Sequence, residues 1–450
     1  MPVLVFLGGH AFLGIAMKHV ALLATAHALL TLLVGLYFAA TARQPAKVVM
    51  AVSYIVGAEV LWRMTGAAVF WEYGKYAASA TLLLWILHHR PPRYNWLALV
   101  YFFVLIPSAA LTCIRSPNLT TLRGNISFNV SGPFSLAVCA FCLYGTKLKP
   151  TDFQRILLAM LGPFVGVAAI CTLSTASLGA GYEFGRQSTD DTTGGFGANQ
   201  VSATLGLGML AAFLWIHLQR RGGAQRWMAI GLILWFFAQS ALSFSRTGVY
   251  LGIGTIVVAS AFLLRDRRRF AYGIATLAVL AAAGYFLVFP WLDSFTGGHL
   301  SDRYSKLSFT NREELAKADL LLAVHHPLFG VGLGMAKSAR ASQLGIGGAA
   351  HTEFTRLLAE HGALGAASLV ALLLMGFKAW RATGARYERA WTVSLMAYAM
   401  LFMLVSGMRL VAPSAAMGLA MLQLRQPRAA AAANKLGGNR FVSPRYVRSP

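Results

Sequence analysis

Residues 153–175 read FQRILLAMLGPFVGVAAICTLST and hold a single charged side chain, Arg155. A helix that crosses a bilayer needs roughly 20 mostly apolar residues, so this stretch is long enough to span a membrane. Its apolar residues are continuous rather than alternating, which excludes the strands of a closed barrel, the other spanning structure that lipid allows. We therefore predict a membrane-spanning helix here.

Similar apolar runs recur from Val3 to Leu424 and predict about 12 to 14 crossings at roughly 20 residues each. The candidate spans lie near 3–17, 19–40, 45–61, 76–88, 95–112, 130–146, 153–175, 198–218, 227–244, 247–264, 270–290, 362–380, 388–408 and 411–424. Only 12% of the residues are charged, about half the share of a soluble domain. This number of charged groups is too small to cover the surface of a water-soluble globule. We therefore expect an all-α polytopic membrane protein.

These spans divide the chain into four expected regions. Residues 1–290 form the N-terminal transmembrane helices, 291–361 a large helical loop, 362–424 the C-terminal transmembrane helices, and 425–450 a basic, disordered tail. Structureless loops longer than about 15 residues are uncommon and are usually functional. The loop 291–361 is therefore expected to carry catalytic elements.

The net charge of +24 would suit a nucleic-acid partner, but the basic residues collect in alternate loops. They are His88, His89, Arg90 and Arg93; Lys147, Lys149 and Arg155; Arg220, Arg221 and Arg226; Arg265, Arg267, Arg268 and Arg269; and Lys378, Arg381, Arg386 and Arg389. This distribution is typical of the cytoplasmic loops of membrane proteins and argues against nucleic-acid binding. An even number of crossings also makes the N-terminus cytoplasmic, and without a small-residue cleavage site the first span is expected to be retained.

Four arginines lie in or beside the loops of the opposite face, where basic residues are less common than in cytoplasmic loops. They are Arg186, Arg246, Arg303 and Arg312. Arg246 directly precedes an apolar helix, where an ionisable residue suggests function. The planar guanidinium suits phosphate oxygens, so several of them beside a bilayer predict a site for a lipid-linked phosphate or diphosphate. Snorkelling, or ion pairing with Asp190, Asp191, Asp302 or Glu353, remains the structural alternative.

The same face holds His351, at the start of a helix expected over 351–361, and a second helix expected over 311–323. A histidine can remove a proton near neutral pH, although a purely structural role stays open. His325, His326 and His361 are competing histidines on this face. The chain has no HExxH, paired-aspartate or Walker motif, so we expect no metal and no nucleotide cofactor. Cys139 and Cys142 lie within an apolar helix and are expected to be core residues.

Four stretches occur in the order found in a known family. They are 195–203 (GFGANQVSA), 243–248 (SFSRTG), 326–334 (HPLFGVGLG) and 351–365 (HTEFTRLLAEHGALG). Together they resemble the motifs of bacterial O-antigen ligases and their polymerase relatives, and they cover roughly 195 to 365. Thr352 departs from the pattern, because family members often have asparagine after the motif histidine, and this leaves the acceptor contacts less defined.

The resemblance implies a glycosyltransferase of lipopolysaccharide biosynthesis in the bacterial inner membrane, with its active site facing the periplasm. It implies transfer of a glycan from undecaprenyl diphosphate to a sugar hydroxyl of lipid A–core oligosaccharide. By the same resemblance, Arg246 binds the diphosphate, Arg186 is a second candidate for that role, and His351 activates the acceptor hydroxyl. The remaining candidates for substrate binding are Asn199, Gln200, Arg303 and Arg312.

The residues are chemically suited to that reaction. A sugar diphosphate releases an anion that is already a good leaving group, so it needs fixed cations rather than a general acid. A positioned base typically contributes about 10²–10⁴-fold to the rate. His351 and two or three arginines would therefore suffice without a metal, and direct attack would invert the anomeric centre.

Other functions stay open. A polymerase that joins lipid-linked repeat units, or an enzyme that glycosylates protein, would use similar arginines and differ only in its acceptor. A transporter for lipid-linked sugars would also use outer arginines, with ionisable residues near the bilayer midplane and broken helices. Glu59 is the clearest candidate for a charge deep in a span, but the sequence shows no internal repeat.

Overall fold

The computed structural model describes residues 2–89, 93–116, 118–179, 181–185, 187–218, 223–263, 278–305, 312–348 and 351–424. Arg186 and the predicted tail 425–450 lie outside these ranges. The helices are α1 Pro2–His19, α2 Ala21–Thr41, α3 Pro45–Met64, α4 Tyr73–His88, α5 Trp96–Phe103, α6 Ile106–Arg115, α7 Leu119–Leu143, α8 Pro150–Ala176, α9 Ala198–Leu218, α10 Ala224–Leu242, α11 Arg246–Leu263, α12 Phe289–Phe295, α13 His299–Ser305, α14 Arg312–His325, α15 Ala336–Leu344, α16 Glu353–His361, α17 Ala363–Arg381, α18 Arg386–Val405 and α19 Ala412–Leu419. Two short strands, β1 Lys147–Leu148 and β2 Gln423–Leu424, pair in parallel.

Eleven helices among the described residues are long and apolar enough to cross a membrane, which confirms an all-helical polytopic membrane protein. The count falls below the predicted 12 to 14 for three physical reasons. The helix α4 has only 16 residues, and α10 includes polar residues such as Gln225, Arg226 and Gln239. The predicted span 411–424 forms only the eight-residue helix α19.

Most loops that were predicted to share one face meet at one end of the helix bundle, here called the basic end. The strand β1, between α7 and α8, pairs with β2 after α19. The Lys378 ammonium, at the end of α17, lies 4.8 Å from the centre of the Tyr144 ring. Gln154 donates to the carbonyl of Leu218, at the end of α9, over 2.6 Å. Which side of the membrane this end faces stays a prediction.

The opposite end is here called the loop end. At the last turn of α1, Lys18 donates to the carbonyl of Met64 at 3.3 Å and to that of Gly194 at 2.6 Å. These contacts bring together the end of α1, the end of α3 and the loop before α9. The predicted loop 291–361 begins within α12, which extends to Phe295, and returns to the bundle through α16 and α17, so it belongs to this end.

Small residues allow close approach of the central helices. A Cβ atom added at Gly248 of α11 would lie 1.7 Å from the carbonyl oxygen of Ser202 in α9, and one at Gly206 would lie 2.5 Å from the carbonyl oxygen of Gly248. Such contacts are typical of membrane helices, which associate through close packing rather than through the hydrophobic effect. They fix the first residues of α9 and α11 side by side at the loop end.

The chain is not helical over residues 406–411, between α18 and α19, and we call this stretch the broken segment. Unpaired backbone groups at membrane depth are costly unless protein groups satisfy them. Side chains from other helices do so here. The contacts are Met408 N–H to Glu353 Oε2 at 3.2 Å, Val411 N–H to Glu59 Oε2 at 2.7 Å, and Arg63 Nη2–H to the Arg409 carbonyl at 3.2 Å.

The glycine-rich stretch 326–334 joins the large loop to the bundle. Gly330, Gly332 and Gly334 all have positive φ, which glycine adopts without steric cost. A Cβ atom at Gly330 would lie 2.3 Å from the backbone carbon of Glu360. The stretch therefore packs against α16, and the predicted helices 311–323 and 351–361 are found as α14 and α16.

Candidate functional site

Four of the predicted site residues line one open cavity of about 460 Å³ at the loop end. They are Asn199 and Gln200 in the first turn of α9, Arg312 at the start of α14, and His351 just before α16. Arg409 of the broken segment also lines it. Residues that are distant in sequence therefore meet where α9, α14 and α16 begin and where the broken segment follows α18.

The predicted arginines form a connected group next to this cavity. The guanidinium of Arg246 donates from Nε to the carbonyl of Arg303 at 3.0 Å and from Nη2 to the same oxygen at 2.5 Å. Burial, then the charges of Arg246 and Arg312, lower the pKa of Arg303. Burial and the charge of Arg246 likewise lower the pKa of Arg312. The three guanidinium groups are here called the arginine group, and their mutual repulsion favours a bound anion.

The turn that presents Arg246 has an unusual backbone. Phe244 has a φ of 54°, and no other non-glycine residue among those described has a positive φ. That conformation is costly for a bulky side chain and persists only when surrounding packing holds it. Phe244 is fully buried and stacks on Phe184 with ring centres 5.7 Å apart. The turn directs Ser245 Oγ to Asn199 Oδ1 at 2.6 Å, which ties it to the cavity wall.

The start of α9 is held on both sides. Asp190 Oδ1 accepts from the backbone N–H of Ala198 at 2.7 Å, and Arg63 Nη1 donates to Gln200 Oε1 at 2.8 Å. Asn199 therefore faces the turn of α11, whereas Gln200 faces the end of α3. This arrangement gives the cavity two different sides, one with the arginine group and one with Arg63.

His351 is half-buried in the cavity wall. Burial, followed by the positive charges of Arg312, Arg409 and Arg340, lowers its pKa below the ordinary histidine value. The imidazole is therefore neutral near pH 7 and can accept a proton. An anion bound among the arginines would offset their charge and raise the pKa of His351 again, which would make it a stronger base in the presence of that anion.

The competing histidines have other surroundings. His325 is exposed and His326 is half-buried, and the His326 imidazole lies 3.4 Å from the side-chain amide of Gln343. His361 is fully buried, and burial followed by the charge of Arg356 lowers its pKa to about 3. None of the three lines the cavity that contains His351.

Several acids proposed as ion-pair partners for the arginines have other contacts. Asp190 caps α9, and Asp191 accepts from the hydroxyl of Tyr182 at 2.7 Å. Glu353 is buried and pairs with Arg356, whose Nη1 also contacts Glu360 at 2.6 Å. A second buried pair joins Arg340 to Asp319. Asp302, the fourth of these acids, also has a partner, so the structural alternative for the arginine group stays open there.

Sequence reasoning missed Arg409 and Arg63. Both follow the outer end of a predicted span, 388–408 and 45–61 respectively, so the argument that selected Arg246 applies equally to them. Arg409 lines the cavity, and Arg63 bonds Gln200 while pairing with Glu59 at 2.8 Å. Glu59, the predicted candidate for a charge deep in a span, is 2% exposed and lies five residues before the end of α3; its depth in the membrane stays a prediction.

Across the described ranges, no three His, Cys, Asp or Glu side chains are grouped so that they could hold a metal ion. The comparisons with known proteins give no further guide to the site. No protein-family model matches the chain, and no curated protein matches it.

Proposed function

We propose that the chain is an O-antigen ligase, a membrane glycosyltransferase that moves a glycan from undecaprenyl diphosphate to a sugar hydroxyl of lipid A–core oligosaccharide. The observation that carries the proposal is the meeting of a half-buried histidine with Arg312 and Arg409 in one cavity of a membrane-spanning bundle, beside the arginine group. The four stretches that resemble the ligase family contribute to it. Under this proposal the loop end faces the periplasm.

In the proposed reaction the diphosphate lies against the arginine group. The acceptor hydroxyl oxygen attacks the anomeric carbon, and its proton passes to an imidazole nitrogen of His351. The bond between that carbon and the diphosphate oxygen breaks, and the diphosphate leaves with the electron pair. Guanidinium groups that are already fixed stabilise this developing charge with little reorganisation. Attack opposite the leaving group inverts the anomeric configuration.

Reconstituted transfer tests the proposal directly. Purified protein in lipid nanodiscs would receive undecaprenyl-diphosphate glycan and lipid A–core, and the conjugate would be separated on a gel. We expect conjugation by the wild type and a loss of about 10²–10⁴-fold in His351→Ala. His326→Ala is the matched control, because it removes a histidine that is half-buried like His351 but lies outside the cavity, and it should leave turnover unchanged.

The products separate the competing functions. Chain extension of the donor without conjugation would assign a repeat-unit polymerase, and transfer to a protein acceptor would assign a protein O-oligosaccharyltransferase. Retained anomeric configuration would refute direct attack. We expect turnover to continue in EDTA, and its loss and recovery on adding a divalent ion would show that a metal takes part.

The broken segment favours one further candidate, a transporter of lipid-linked sugars, because such proteins bind substrates at interrupted helices. Two of its backbone N–H groups, those of Met408 and Val411, are, however, bound by Glu353 and Glu59. A transporter would move a fluorescent lipid-linked sugar across a vesicle membrane, and His351→Ala would leave that movement intact. Movement without transfer in the wild type would replace the ligase proposal.

A further inference from the structure

A second cavity, of about 170 Å³, opens at the loop end beside the first. It lies between the end of α3, the turn 65–72, the start of α4 and Phe196, two residues before α9. Two charged residues line it, Glu59 and Arg63. Most of the remaining wall is aromatic, formed by Trp62, Phe70, Trp71, Tyr73 and Phe196.

One side chain connects the two cavities. Arg63 donates to Gln200, which lines the first cavity, at 2.8 Å. Its guanidinium carbon lies 4.5 Å from the centre of the Trp71 ring, in the aromatic wall of the second. The ring centres of Trp71 and Phe196 are 5.9 Å apart at 47°, so they form adjoining faces. The aromatic cavity is therefore adjacent to the proposed transfer cavity.

The lining selects the chemistry of the occupant. Glu59 and Arg63 pair with each other at 2.8 Å, so their charges offset and the cavity favours neither a cation nor an anion. A hydrocarbon chain would remove water from this ion pair without offering it a hydrogen bond, which is costly. A neutral polyhydroxylated ring fits all of these groups, because its hydroxyls can bond the charged side chains while its C–H face meets the negative faces of the aromatic rings. The volume equals roughly six waters at about 30 Å³ each, close to the bulk of one sugar ring.

The position of the cavity indicates which sugar it holds. Asn199 contacts the turn of the arginine group through Ser245, whereas Gln200 contacts Arg63 on the other side. Direct displacement requires the acceptor to approach opposite the leaving diphosphate. We propose that the aromatic cavity is a subsite for a sugar ring of the acceptor; this rests on the proposed function, and the shared chemistry of donor and acceptor glycans is a pyranose ring.

An aromatic belt at the membrane surface is the main competing explanation for these residues, because Trp71 is 46% exposed and Phe70 is 56% exposed. A belt tryptophan does not need a buried guanidinium beneath its ring. Trp227 provides the comparison, since it is 65% exposed at the start of α10, at the basic end of the bundle. If both tryptophans belong to the aromatic belt, replacing Trp71 or Trp227 should change the kinetics equally. If Trp71 lines a sugar subsite, the two replacements should differ.

Steady-state kinetics with both substrates tests the proposal. In Trp71→Ala we expect the KM for lipid A–core to rise about tenfold, while kcat and the KM for the undecaprenyl-diphosphate glycan stay unchanged. Trp71→Phe should keep most of the affinity because it retains a ring face, and it also guards against a folding defect. Trp227→Ala should leave both KM values unchanged. A rise in the donor KM alone would support a sugar subsite for the donor glycan instead.

A binding measurement separates this proposal from the proposed function. Core oligosaccharide freed of lipid A would be titrated calorimetrically into the wild type and into Trp71→Ala. Wild-type protein that binds the oligosaccharide through Trp71 but transfers nothing would support the subsite and refute the ligase. Wild-type protein that transfers, with neither KM nor binding altered in Trp71→Ala, would refute the subsite and leave the ligase standing. Absence of both binding and transfer would refute both.

Discussion

Replacement of Gly248 by alanine should force α9 and α11 apart. The added Cβ would lie 1.7 Å from the carbonyl oxygen of Ser202, which is 1.3 Å closer than the 3.0 Å limit of real Cβ contacts. The contact is with backbone, so no change of rotamer can relieve it. Overpacking of this kind typically costs about 1–3 kcal/mol of stability.

The same displacement should reach the chemistry. Gly248 lies two residues after Arg246 in α11, and Asn199 lies three residues before Ser202 in α9. A shift between these two helices therefore also moves the turn that bears Arg246 away from Asn199. A misplacement of about 1 Å in an active site can cost about 100-fold in rate. We therefore expect Gly248→Ala to retain its fold at reduced stability and to lose about 100-fold of transfer.

Two further glycines provide graded controls. A Cβ at Gly206 would come within 2.5 Å of the Gly248 carbonyl oxygen, a smaller overlap, whereas one at Gly231 would meet nothing within 4 Å. Gly231→Ala on the helix α10 should keep full activity and gain up to about 1 kcal/mol. Unfolding in mixed micelles and conjugation rates would be compared for all three variants. Equal stability and turnover in Gly248→Ala and Gly231→Ala would refute the close-packing argument.

Three other perturbations follow from the charges at the loop end. Arg409→Gln removes a cation that lowers the pKa of His351, so the acid limb of the kcat/KM profile should move to higher pH; an unmoved limb would exclude His351 as the titrating base. Because the pKa of His361 is lowered to about 3 in the folded chain, the unfolded chain gains a proton first as pH falls, and about 2 kcal/mol of stability should be lost between pH ~7.5 and ~5. An equal loss of stability in His361→Leu would show that another group causes this pH dependence. Glu353→Gln leaves a buried guanidinium poorly paired and should cost about 3–5 kcal/mol in denaturation experiments, whereas Glu313→Gln, at an exposed pair, should cost almost nothing; equal losses would contradict this account.

The sequence supports the architecture and part of the candidate site. Long apolar runs predict the spans, and basic loops predict which ends of the helices lie together. The sequence predicted only that Arg312 and His351 lie on the same side of the membrane. Their shared cavity depends on how α14 and α16 pack, which local patterns do not determine.

The sequence predicts a two-residue gap between the spans 388–408 and 411–424, but the six-residue broken segment 406–411 could not be predicted, for a physical reason. Residues 388–424 have a nearly continuous apolar pattern, and the side chains that stabilise a non-helical stretch there come from Glu59 and Glu353. Such long-range hydrogen bonds leave no local signal. Arg409 falls in the gap between the predicted spans, and the sequence analysis did not select it, although it lines the cavity.

The broken segment also has a consequence for biogenesis. Val411 is bound by a carboxylate 352 residues earlier in the chain, so the wall of the cavity that bears Arg409 cannot form until nearly all of the protein has been synthesised and inserted. Before that moment, Glu59 and Glu353 lack the backbone N–H groups that they bind in the finished structure. A ribosome that stalled after α18 but before Val411 would leave a membrane-inserted product that lacks the cavity wall bearing Arg409, and under the proposed function that product would be inactive.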